Sequence, residues 1–85
     1  MISHPQALVE RARAEYPDHE SVQRFVLVDS SVARENLCEV FNEDLEETFD
    51  PDEVLRLLDA GDLDELRNRA QRLSRVKAIL DEWPE

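Results

Sequence analysis

The residues best suited to chemistry crowd into one stretch, NEDLEETFDPDEV from Asn42 to Val54, which holds seven carboxylates and no base. Carboxylates at that density hold a hard cation, face a cationic partner, or cap helices. As a calcium loop the stretch would use Asn42, Asp44, Glu46, Asp50 and Glu53 at positions 1, 3, 5, 9 and 12, with Phe49 at the apolar eighth. The sharp turn of such a loop needs glycine at the sixth position, where Glu47 stands. Asp50-Pro51 reads instead as the start of a helix. His4 and His19 are far apart and Cys38 stands without ligand spacing, so no metal is expected.

Nucleophilic chemistry has little more to work with. Asp29-Ser30-Ser31 offers hydroxyls, but no motif places a histidine base beside them, and helix capping accounts for all three residues. The Asp29-Ser30 pair, with Leu45 to Phe49 (LEETF) downstream, resembles the acyl carrier proteins. That resemblance implies a four-helix carrier with phosphopantetheine on Ser30. It covers about half the chain, and it departs from the family in three places. The intervening segment is more than a turn too long, the usual glycine is missing, and Ser31 replaces the expected leucine. The residues themselves predict no catalytic group and no cofactor, hence a protein that is not an enzyme.

The elements that would position these residues are marked by helix punctuation. Ser3, His4 and Pro5 can open a first helix with Ala7, Leu8, Ala12 and Tyr16 on its apolar face, closed by Pro17. Asp18 is the expected cap of a second segment in which Val22, Phe25 and Val26 share a face. RFVLV also fits a strand, but no second strand is present to pair with it. Asp29 to Ser31 mark a kink or cap, after which Ala33, Leu37, Val40, Phe41 and Leu45 continue a helical stripe. Asp50-Pro51 with Glu53 forms a capping-box signature, repeated twelve residues on by Asp62 with Glu65, and Gly61 lies between the two helices. The last helix carries Leu63, Leu66, Ala70, Leu73, Lys77 and Leu80 at coiled-coil-like spacing. The expectation is a single all-α domain over residues 1–85: a small bundle of four to five helices with a coiled-coil-like C-terminal helix. A homodimer joined through Leu66, Ala70, Leu73 and Leu80 is one possible use of that seam.

Composition sets the outer bounds. Eighty-five residues allow one small core. The longest strictly apolar run, Phe25 to Val28, is far too short to span a bilayer, and the opening residues lack the apolar core of a signal peptide. Cys38 is the only cysteine and is expected as a small buried hydrophobe, which together with the rest points to a reducing cytoplasm.

Charge is unevenly placed. Residues 35–66 hold thirteen acids and a single base, Arg56, for −12, whereas residues 1–34 carry −1 and residues 67–85 carry +2. Within this block Glu35, Glu39, Glu43 and Glu47 recur every fourth residue and form one line along a helix. Like charges at that spacing cost roughly 0.2–0.5 kcal/mol per pair. Elsewhere the spacing predicts favourable pairs: Glu20 with Arg24, Asp52 with Arg56, Glu65 with Arg69. Either Arg67, Arg69, Arg72, Arg75 and Lys77 of the last helix neutralise the line, or it faces a basic partner. Direct nucleic-acid binding is disfavoured, because a polyanion would be repelled. The expected partner is a basic protein, one that itself grips nucleic acid, as in phage anti-defence or antitoxin-like decoys. The expected contact residues are Glu35, Glu39, Glu43, Asp44, Glu46, Glu47, Asp50 and Asp52.

Overall fold

The computed structural model describes residues 6–84. They form five α-helices and one 3-10 turn: α1 (Gln6–Glu15), α2 (Glu20–Gln23), the turn (Phe25–Leu27), α3 (Ser30–Thr48), α4 (Pro51–Asp59) and α5 (Leu63–Glu82). No strand occurs among the described residues, and RFVLV is taken up by the 3-10 turn. The expected opening at Ser3 to Pro5 lies outside the described residues.

Local chemistry explains most boundaries. Asp29 caps α3, its carboxylate accepting from the Ser31 amide at 2.9 Å. Asp50 caps α4 through the Glu53 amide at 3.2 Å, with Pro51 in the first turn where its missing N–H costs nothing. Asp62 caps α5 through the Glu65 amide at 3.3 Å. Between α4 and α5, Gly61 adopts φ 71°, so that Asp62 N–H reaches the Leu57 carbonyl (2.8 Å) and Gly61 N–H reaches that of Leu58 (3.1 Å). This paired closure is the Schellman arrangement, and only glycine takes the required backbone without strain. The second segment differs from expectation. His19 rather than Asp18 precedes α2, because Pro17 and Asp18 are spent on the turn in which His19 N–H bonds the Tyr16 carbonyl at 3.1 Å. The Gln23 side-chain amide closes the end of α1, donating to the carbonyls of Arg13 (3.1 Å) and Tyr16 (2.9 Å).

The core gathers at one end. Val9, Ala12 and Tyr16 of α1 and its following turn meet Val22, Phe25, then Ala33, Leu37 and Val40 of α3, and Val76, Ile79 and Trp83 from the end of α5. The Trp83 indole donates to the Ser30 carbonyl at 3.1 Å and ties the last turn to the start of α3. In α1 and its following turn the expected Ala12 and Tyr16 are buried and Leu8 packs on the core, with one exchange; in α5 the stripe is rotated. In α1, Val9 is buried while Ala7 is exposed. In α5, burial runs Leu73, Val76, Ile79 and Trp83, not through Lys77, which stays in water and pairs with Asp81 at 3.0 Å. Keeping the ammonium solvated is cheaper than burying it, so the seam turns by one residue.

Beyond Val40 the packing thins. Among residues 41–73 the buried side chains are Asp44, Thr48, Leu57 and Leu73, and two of these four are polar. The second half of α3, all of α4 and the start of α5 therefore form an arm extending from the core. The molecule measures 52 × 20 × 18 Å with a radius of gyration of 14.3 Å. A compact chain of this length would have about 12 Å. None of the described helices is long and apolar enough to cross a membrane.

Candidate functional site

Glu35, Glu39, Glu43 and Glu47 are all exposed on α3, and Glu46 lies beside them. One turn of helix separates neighbours by about 6 Å, so the line runs for about 18 Å. The core sets the direction of its first half: Glu35 and Glu39 each stand two residues from buried Leu37, about 200° around the helix. None of the five glutamates forms an ion pair with another described residue.

Four of the five bases of α5, which could have neutralised the line, are engaged elsewhere. Arg72 reaches Asp44, Arg75 grips Glu15 through two bonds of 2.7 and 3.0 Å, and Arg69 divides itself between Glu65 (3.0 Å) and Glu53 (3.3 Å). Lys77 takes Asp81, and Arg67 has no ion pair among the described residues. The α5 arginines thus pair with Asp44, Glu53 and Glu65 of the acidic block and not with the glutamate line, which stays exposed.

Asp44 is a correction. Sequence spacing places it in the contact set, but it is only 7% exposed and stands on the core side of α3, about 100° around the helix from Glu43. Its carboxylate accepts from the Tyr16 hydroxyl (2.8 Å), from Arg72 Nη2 (2.6 Å) and Nε (3.0 Å), and from Thr48 Oγ1 (3.4 Å). The apolar stripe Ala33, Leu37, Val40 thus continues as Asp44 and Thr48, while the expected Leu45 points to solvent. The physical reason is the paired bond of Arg72, which meets the carboxylate with two parallel N–H groups and makes its burial tolerable. The Arg72 guanidinium also lies 5.1 Å from the centre of the Tyr16 ring. Burial first, then the hydrogen bond to Asp44, pushes the Tyr16 hydroxyl above its usual range, and the bond to Asp44 raises Arg72. This cluster was not visible in sequence, since Tyr16, Asp44 and Arg72 are 28 residues apart at each step.

The remaining contact residues line or flank an open groove of about 500 Å³ bounded by Glu46, Glu47, Asp50, Glu53 and Arg69. Asp50 is exposed while it caps α4, and Asp52 is exposed without an ion pair among the described residues. Arg56 bonds Glu53 rather than Asp52, and this bond chiefly holds the Glu53 carboxyl below its usual range. Glu53 is drawn forward by Arg56 and Arg69, so its side chain serves them and not the reciprocal half of a capping box. The stretch compared with a calcium loop is helical from Asn42 to Thr48. No group of three or more His, Cys, Asp or Glu side chains among the described residues is arranged to hold a metal.

Ser30 is half-buried at the first turn of α3, and the Asp29 carboxylate is directed to the Ser31 amide and hydroxyl, both at 2.9 Å. Cys38 is half-buried rather than buried. Of the expected seam, Leu73 is buried and Leu80 packs on the core within one chain, while Leu66 and Ala70 are half-buried. Compared with known protein families, with curated proteins and with solved structures, the chain matches none.

Proposed function

We propose that this chain is a non-catalytic acidic interaction module, an inhibitor or regulator that occupies the basic, nucleic-acid-binding surface of a partner protein. One observation carries the reading: the glutamates of the α3 line are exposed and unpaired, while four of the five bases on α5 are spent on other acids. Three like-charge pairs at this spacing cost about 0.6–1.5 kcal/mol of helix stability, and no internal contact offsets them. A cationic partner would offset them on binding and would be steered toward the line by its field.

Mimicry of a nucleic acid needs denser charge than the line alone provides. A duplex carries one charge per about 1.7 Å, against one per about 6 Å here. Glu46, Asp50 and Asp52 thicken the line into a patch at the end of α3. Such a module suits an anti-defence or antitoxin-like role, in which a small acidic chain blocks a protein that grips phosphates.

The test is capture followed by competition. Proteins retained from the host at low salt and released at high salt are identified, and their binding to duplex or single-stranded nucleic acid is measured with this chain added. The expected result is displacement of the nucleic acid, relieved by salt. Retained partners that keep their nucleic acid at saturating amounts of this chain would contradict the decoy role.

A further inference from the structure

The arm is not only acidic. Of the large apolar side chains left exposed, five fall within it: Leu45 (38%), Phe49 (53%), Leu55 (56%), Leu58 (46%) and Leu63 (56%). Helical spacing groups them. Leu45 on α3 and Phe49 at its C-cap are four residues apart, Leu55 and Leu58 are three apart on α4, and Leu63 follows the turn that ends α4. On α5, Leu63, Leu66 and Ala70 all lie within about 80° of Leu73, whereas Arg69, Arg72 and Glu65 depart from it in the other direction. The arm therefore has two flanks. One is polar, with the Asp44–Arg72 pair and the Glu53–Arg69–Glu65 bridges. The other side of α5 carries Leu63, Leu66 and Ala70, exposed or half-buried, and is the apolar flank; on α4, Leu58 stands about 100° and Leu55 about 200° around the helix from buried Leu57.

We propose that this apolar flank seats an amphipathic helix of the partner protein, one carrying lysine or arginine beside its apolar face. The inference rests on the acidic-module reading and adds the form of the partner. Charge selects the occupant. Residues 35–66 carry −12, and Glu46 lies between the Leu45–Phe49 row and the glutamate line, so a helix seated on the leucines has its margins within reach of carboxylates. A second copy is disfavoured by the same charge, because a two-fold pairing sets each patch against its own image. Helix-in-groove recognition uses anchors at i, i+3 or i+4, and i+7, and the rows on α3 and α4 provide a surface of matching spacing.

The probe is an 18-residue peptide of leucine and lysine with its leucines on one helical face, compared with a permuted peptide of equal composition lacking that face. Each is titrated into the isotope-labelled full chain, and binding is followed residue by residue by nuclear magnetic resonance. The amphipathic peptide is expected to bind at least about tenfold more tightly than the permuted one, a difference of about 1.4 kcal/mol. It should shift the amides of Leu45, Phe49, Leu55, Leu58 and Leu63. The double variant Leu55→Ser, Leu58→Ser should abolish that advantage with helix content unchanged, and Leu63→Ser, on a different helix, should reduce it independently. The pair Glu39→Gln, Glu43→Gln should weaken both peptides. Equal binding of the two peptides, with shifts confined to the glutamates of α3, overturns the docking flank and leaves the acidic surface standing. Preference for the amphipathic peptide that is indifferent to Glu39→Gln, Glu43→Gln retains the flank and removes the acidic line. A dimer of the free chain that is lost in Leu55→Ser, Leu58→Ser assigns the flank to a second copy and overturns the proposal.

Discussion

The two ends of this molecule solve stability in opposite ways. At one end, Val9, Val22, Phe25, Ala33, Leu37, Val76 and Ile79 are essentially removed from water and meet across four segments of chain. In the arm, Leu57 and Leu73 are the buried apolar side chains, joined by a carboxylate and a threonine. Burial of apolar area yields about 25 cal/mol per Å², so the arm draws little from it. Caps, the Schellman closure at Gly61 and the ion pairs of Arg69 and Arg72 supply what remains. A region with little burial and many carboxylates left open draws little stability from its own packing. Such regions open locally at lower free energy than the core.

The largest expected effects break this contrast directly. Leu37→Ala should cost about 3–5 kcal/mol and lower the global melting temperature, since the cavity lies among fixed neighbours. Leu57→Ala should cost about 2–3 kcal/mol, near the low end for such a change, because the surrounding arm can relax. Hydrogen exchange should show where each loss falls. Amides of α4 should lose protection in Leu57→Ala while those of α1 keep theirs. Equal loss in both helices would make arm and core a single cooperative unit.

Next in size is the join between the ends. Asp44→Asn keeps the volume but removes the charge that Arg72 and Tyr16 share. Arg72 is about one-third exposed and can recover water, so a loss of about 1–3 kcal/mol is expected, below that of a fully buried pair. A denaturation midpoint equal to that of the unaltered chain would show the network to be incidental.

A smaller effect should appear at high pH. The Tyr16 hydroxyl is raised above its ordinary value of 10.0, so the folded form holds its proton where the unfolded chain has released it. Stability from this group is thus fully present below about pH 10 and falls as pH rises through the folded-state value. Denaturant titration from pH 9 to 11.5 should show that decline, and Tyr16→Phe should flatten it at some cost to stability at neutral pH. A decline of the same slope in Tyr16→Phe would assign the alkaline loss to other groups.

How much of this was legible depends on the range of the interaction. Asp29, Asp50, Asp62 and Gly61 announce helix ends within four residues, and all four do what their types imply. The glutamate line follows from spacing alone, and the outward direction of Glu35 and Glu39 from Leu37. What periodicity misassigned depends on distant partners. Asp44 reads as one more surface acid until Tyr16 and Arg72, each 28 residues away, are brought to it. Leu45 fits the stripe, yet the helix turns its polar neighbours inward because Arg72 is there to receive a carboxylate. The last helix followed Val76 and Ile79 over Lys77 for a similar reason, the cost of burying an ammonium being met only in the folded packing.

The outward, unpaired state of the glutamate line is tested most directly by Glu39→Gln with Glu43→Gln, which changes charge while keeping size and helix propensity nearly constant. Melting temperature and association rate with a captured basic partner are measured on the same preparation at two salt concentrations. An exposed binding line predicts a melting temperature equal to or slightly above that of the unaltered chain, because repulsion along α3 is relieved. It also predicts slower association with a shallower dependence on salt. Lower stability with an unchanged association rate would mean that the glutamates serve the fold and not a partner.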